Sequence, residues 1–105
     1  MSLDALRRQI DALDERLVEL LNERARCALK IGELKQVMGL ELYQPDRESQ
    51  VLHHVRQHGA ASAGPLGPDA LTRLFERIID EARRLERESA GGHRSAAGAS
   101  DPTER

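Results

Sequence analysis

The chain has 105 residues, of which 39% are hydrophobic and only 2% aromatic, so it holds one domain at most, with a small core built from Leu, Ile, Val and Ala. Such a core suits helix seams better than twisted sheets. Charged residues reach 32% with a formal net charge of -2, which excludes a general binder of phosphate backbones, and no run approaches the ~20 apolar residues that span a bilayer.

The first predicted element is long. Leu3, Leu6, Ile10, Leu13, Leu17, Leu20, Arg24, Cys27, Ile31, Leu34 and Met38 follow one another in alternating steps of three and four, which is a heptad seam. No proline interrupts it and Gly32 is the one interior glycine, so a single helix is expected from about Leu3 to Met38, stopped near Gly39. Pro45, with Asp46 and Glu48 near the positive helix end, opens a short second helix expected to finish at about His58, before Gly59. Gly59 to Gly67 reads as a flexible connection. Pro68 and Asp69 then start a medium helix carrying Leu71, Leu74, Phe75, Ile78, Ala82 and Leu85 on one stripe, expected to end near Ser89. Residues 90–105, rich in Gly, Ser and Ala, read as a disordered tail beyond a domain of residues 1–89.

The expected fold is therefore all-α with three helices per protomer, and its lengths bear on assembly. Two shorter helices cannot cover both flanks of a helix ~50 Å long whose seam is apolar from end to end. A second copy laid alongside by two-fold symmetry removes the exposure, so a homodimer is expected. Met1 to Asp4 carry neither a basic leader nor an apolar run, and the lone Cys27 suits a reducing compartment, so a cytoplasmic location is expected, with no nucleic-acid or membrane partner.

Arg24 is the first anomaly, because it stands where the seam calls for an apolar residue, and a buried guanidinium without an anion is costly. Lys35 follows about three turns later, pointing within ~20° of Arg24 and ~16 Å along the axis, so the two side chains can converge on a small dicarboxylate. The plainer alternative pairs Arg24 with Glu48 or Glu86 and lets Lys35 reach water. Gln44, Pro45, Asp46, Arg47 and Glu48 form either an ordinary helix start or a carboxylate site in which Arg47 adds a forked donor to free backbone N–H groups. Glu86 falls on the apolar face of the third helix, where burial without a cation would raise its pKa and an edge position would leave it solvated or paired with an arginine. Arg7 lies ~25 Å from Arg24 along the same helix, so it is either simply exposed or brought to a site by an antiparallel partner. His53, His54, His58 and His93 do not make a metal set, and there is no phosphate loop or nucleophile motif, so neither metal nor cofactor is expected. Cys27 reads as packing.

Several spaced segments together resemble the all-helical class of chorismate mutases, over about residues 3–88. They are Leu6 to Asp14, Leu20 to Arg24, Ile31 to Lys35, Pro45 to Glu48 and Leu74 to Ile79. The resemblance implies an intertwined antiparallel homodimer with two active sites, each taking one arginine from the neighbouring chain, and the rearrangement of chorismate to prephenate in aromatic amino-acid biosynthesis. By the same resemblance, Arg7 of the partner subunit and Arg24 bind substrate carboxylates, Lys35 reaches the ether oxygen and a carboxylate, and Glu48 accepts the ring hydroxyl while Arg47 orders the site. Glu86 stands where the family places a Gln or Glu against the ether oxygen, which makes Lys35 and Glu86 the catalytic pair. Gln44 replaces a hydroxyl-binding Asp and Ala82 replaces a Ser of one common version of the pattern. Two rival readings use the same helices: a lyase splitting isochorismate into salicylate and pyruvate, and a non-catalytic dimer in which Arg24 and Lys35 only make interchain ion pairs.

Overall fold

The computed structural model describes residues 2–99 as three α-helices, α1 (Leu3–Met38), α2 (Pro45–Ser62) and α3 (Pro68–Ala99). Among the described residues there is no strand. The Ser2 hydroxyl caps α1 by accepting from the Ala5 N–H at 3.0 Å. At the other end Gly39 takes a left-handed backbone, and the N–H groups of Gly39 and Leu40 close on the carbonyls of Gln36 and Lys35. α1 thus begins and ends where its seam does. No helix is long and apolar enough to cross a membrane among the described residues.

The second helix departs from expectation. α2 continues through Gly59 to Ser62, and the connection shrinks to residues 63–67. The reason is a close approach: a Cβ at position 59 would collide with Leu71 Cδ1, so Gly59 is where α2 and α3 touch and not where α2 stops. Arg56 strengthens the same contact, donating to Asp69 Oδ1 at 2.9 Å and Thr72 Oγ1 at 3.1 Å. α2 ends instead at Ala63, whose φ of 52° is left-handed and whose N–H returns to the Gly59 carbonyl.

α3 also runs past Ser89, to Ala99. Ala90 is buried, so the packed face extends beyond the end that the leucine stripe sets, and the Ala-rich sequence up to Ala99 contains no proline to stop the helix. The tail expected over 90–105 therefore falls in part on this helix, and 100–105 lie outside the described residues.

α3 packs against both other helices, which do not pack on each other. The protomer that results is a slab, 58 × 34 × 16 Å, with a radius of gyration of 18.0 Å where a compact domain of this length has ~13 Å. Among the described residues Ile79 and Ala90 are the buried apolar side chains, while Leu13, Leu17, Leu20, Ile31 and Leu34 of the α1 seam are 45–58% exposed. From Leu6 to Glu23 every residue of α1 is exposed, a bare arm ~27 Å long.

Candidate active site

The packing of α3 between α1 and α2 leaves a cavity of about 430 Å³, within the ~300 to 1,000 Å³ usual for small-molecule sites. α1 contributes Arg24 and Lys35, one face of the helix seen three turns apart. The start of α2 contributes Gln44, Arg47 and Glu48, and α3 contributes Ala82 and Glu86. These are seven of the eight residues singled out in the sequence. Arg7 is not among them: it is exposed on the bare arm of α1, too far along the helix to reach the cavity of its own chain.

Neither carboxylate pairs with Arg24, contrary to the plainer alternative for that residue. Glu48 is taken by Arg83, whose Nη2 lies 3.3 Å from Oε1, and the cation nearest Glu86 is Lys35, with Nζ 4.0 Å from Oε2. Among the described residues Arg24 makes no salt bridge, so its half-buried guanidinium keeps its donors for cavity contents. Lys35 does not reach out to water either. Its side chain is 15% exposed, and Nζ donates to the Leu42 carbonyl at 3.0 Å, which aims the ammonium into the cavity.

Glu86 is the most enclosed acid among the described residues, with a side chain 10% exposed. Burial pushes its carboxyl above the usual range; Lys35 pulls it back down, and the negative charge of Glu48 adds to the rise. At 10% exposure the side chain does not occupy the solvated edge position entertained for it, nor does an arginine pair with it among the described residues. Gly32, the buried glycine of α1, makes room for this group: a Cβ there would sit 3.2 Å from Glu86 Oε2 and 3.3 Å from its Cγ. The absence of a side chain at 32 is what lets the acid lie against α1.

Gln44 precedes the first turn of α2, and its own carbonyl accepts from the N–H groups of Arg47 and Glu48 at 3.1 and 3.2 Å. Its side chain makes no capping bond, and the residue lines the cavity with an amide that can both donate and accept. Arg47 is exposed and held loosely by Gln50 at 3.5 Å.

Sequence reasoning passes over Arg83, which lines the same cavity, stacks its guanidinium 5.0 Å from the Tyr43 ring centroid and also pairs with Asp80 at 2.9 Å. The available signal was its spacing, four after Ile79 and three before Glu86, on the inward stripe of α3. Cys27 lines the cavity too, although it is exposed in the isolated protomer. His53, His54 and His58 are exposed, and His93 lies outside the residues whose side chains are described. The site thus offers four cations, Arg24, Lys35, Arg47 and Arg83, to two carboxyls, one of them with a raised pKa, which suits a small dianion.

Comparison with known proteins agrees with this chemistry. Residues 6–87 match the family described as chorismate mutase type II. The chain is 43% identical over 89 residues to a bifunctional chorismate mutase/prephenate dehydratase of Pseudomonas aeruginosa, covering 80% of this chain and 24% of that protein. It is 37% identical over 92 residues to a 4-amino-4-deoxychorismate mutase of Streptomyces pristinaespiralis, covering 86% of this chain and 70% of that one. The solved structure of chorismate mutase (form II) from Thermus thermophilus superposes with a TM-score of 0.74 at 32% identity, over 81% of this chain and 93% of that chain. The chain thus spans about a quarter of the length of the bifunctional relative.

Proposed function

Because the chain belongs to the chorismate mutase type II family, we propose that it rearranges chorismate to prephenate, as a homodimer. The observation that carries this reading is the gathering of Arg24, Lys35, Arg47, Glu48 and Glu86 around one cavity of the right size. The reaction is a pericyclic shift in which the C–O ether bond breaks as a C–C bond forms within one molecule. It needs no nucleophile, no net proton transfer and no external electrons. What a protein contributes is the compact, reactive conformer of a flexible dianion and stabilisation of the charge that builds on the departing ether oxygen.

In this reading Arg24 binds one carboxylate, and Lys35, aimed by the Leu42 carbonyl, bridges a carboxylate and the ether oxygen. Glu86 in its protonated form donates to the same oxygen. Its raised pKa supports that role, since an ionised carboxylate has no proton to donate. Gln44 and Glu48 receive the ring hydroxyl, Arg47 orders the entrance, and Ala82 forms apolar wall. Arg7 of the partner subunit completes the clamp. The bare arm from Leu6 to Glu23 supports this assembly, because a second copy would cover its apolar seam and carry an arginine across.

A second substrate has one specific observation in its favour, the Streptomyces relative described as a 4-amino-4-deoxychorismate mutase. Chorismate, 4-amino-4-deoxychorismate and isochorismate supplied separately to purified protein, with products identified by chromatography, test the reading. Prephenate from chorismate is expected. A folded dimer that leaves chorismate unchanged and forms salicylate from isochorismate would replace the mutase by the lyase.

A further inference from the structure

Arg83 is more tightly fixed than any other cation of the cavity. Its Nη2 donates to Glu48 Oε1 at 3.3 Å and Asp80 Oδ1 at 2.9 Å, its guanidinium lies 5.0 Å from the Tyr43 ring centroid, and its Nε is buried with no hydrogen-bond partner among the described residues. A guanidinium held at its edge and on its face cannot swing away from an incoming ligand. A buried donor left unpaired costs stability, so packing alone does not explain the choice of arginine here.

Resting on the mutase reading above, we infer that Arg83 is a specificity-determining residue that admits a neutral hydroxyl and rejects an ammonium at the ring position facing Glu48. A lone half-buried carboxylate would attract an ammonium more strongly than a hydroxyl, because opposite charges add a Coulomb attraction to the hydrogen bond. Arg83 reverses that preference. It occupies one oxygen of Glu48 and leaves the other to accept a hydroxyl proton, while placing its own positive charge ~5 to 6 Å from the ligand atom bound there. Asp80, 2.9 Å from the same nitrogen, offsets this field only in part, since its side chain is 60% exposed and keeps its hydration, whereas Arg83 and Glu48 are 28% and 26% exposed. An alkyl amine is protonated at neutral pH, so the 4-amino analogue would present a cation to this corner.

The test is the ratio of kcat/KM for chorismate to that for 4-amino-4-deoxychorismate, measured for the wild-type dimer, Arg83→Met and Arg83→Lys. Wild type is expected to favour chorismate. Arg83→Met is expected to move the ratio toward the amino substrate by about tenfold or more, whereas Arg83→Lys, which keeps the charge, retains the preference for chorismate while losing turnover. A change confined to folding would lower both substrates together and leave the ratio where it was. An unchanged ratio in Arg83→Met, or a wild type that prefers the amino substrate, overturns the inference and leaves the mutase reading standing. Wild-type protein that turns over neither substrate overturns both. If Arg83→Met does not fold, Arg83→Lys decides: loss of the preference for chorismate in that variant rejects the charge argument, and its retention supports it.

Discussion

Lys35 Nζ lies 4.0 Å from Glu86 Oε2 but 3.0 Å from the Leu42 carbonyl oxygen. The ammonium is thus hydrogen-bonded to backbone and only loosely paired with the acid, which is why its attraction does not cancel the effect of burial on Glu86. The active form proposed for Glu86 is the acid. kcat/KM is therefore expected to fall as pH rises through its raised pKa, and Glu86→Gln, which cannot ionise, is expected to flatten the profile over that range. A pH–rate series on both proteins checks it, and an unchanged profile in the variant removes Glu86 from the role. Stability should follow the same sign. Below the usual carboxylate range Glu86 is protonated in both states; as pH rises the unfolded chain releases the proton first, so folding weakens until the folded-state pKa is passed.

Gly32 and Glu86 define a trade between stability and activity. Gly32→Ala removes the entropic cost of a helical glycine, worth up to ~1 kcal/mol, but puts a methyl 3.2 Å from Glu86 Oε2. The long acid side chain can yield where backbone could not. Thermal unfolding is expected to hold or rise while kcat/KM drops by about tenfold or more, since misplacing a donor by a fraction of an ångström is enough. A variant of unimpaired rate would mean that the observed position of Glu86 is not the working one.

The exposed arm makes a mixing experiment informative. Arg7→Ala and Arg24→Ala homodimers are each expected to lose about two to three orders of magnitude in kcat/KM. Unfolded together and refolded, the two chains form heterodimers in which one site carries both substitutions and the other carries neither. About a quarter of all sites then regain full activity if the chains assort at random. Activity that stays at the level of the parents would show that Arg7 and Arg24 do not serve one site from opposite chains.

Leu17, 55% exposed in the protomer, distinguishes a solvated seam from a covered one. On an exposed helix face Leu17→Asp would change stability by no more than ~0.5 kcal/mol. In a dimer interface it buries a carboxylate without a partner, and the expected result is loss of the dimer together with most of the helical circular dichroism. Sedimentation equilibrium beside far-UV spectra reads both. A folded dimer in this variant would place the partner contact elsewhere.

Much of the fold is legible in the chain because α1 announces itself: one uninterrupted alternation of threes and fours between Ser2 and Gly39. The end of α2 is not, since a glycine serves equally well as a helix stop or as a contact point, and only the position of Leu71 distinguishes the two at Gly59. Arg24, Lys35 and Glu86 stand out as polar residues on otherwise apolar stripes. Arg83 stands out less, because α3 carries Arg73, Arg77, Arg83, Arg84, Arg87 and Arg94, and only spacing from Ile79 and Glu86 sets one of them apart. Its partners Glu48 and Tyr43 come from a stretch some forty residues earlier, which local pattern cannot connect to it.

A protomer whose buried apolar side chains, among the described residues, are Ile79 and Ala90 has little to fold around until it meets another chain. In the proposed assembly, collapse and association become one event, so the refolding half-time should shorten as chain concentration rises and the melting temperature should climb with it. Dilution would then inactivate the protein without any chemical change. Inside a cell the same dependence ties the lifetime of a newly made chain to the rate at which further copies are translated, since an unpartnered seam is what proteases and chaperones recognise.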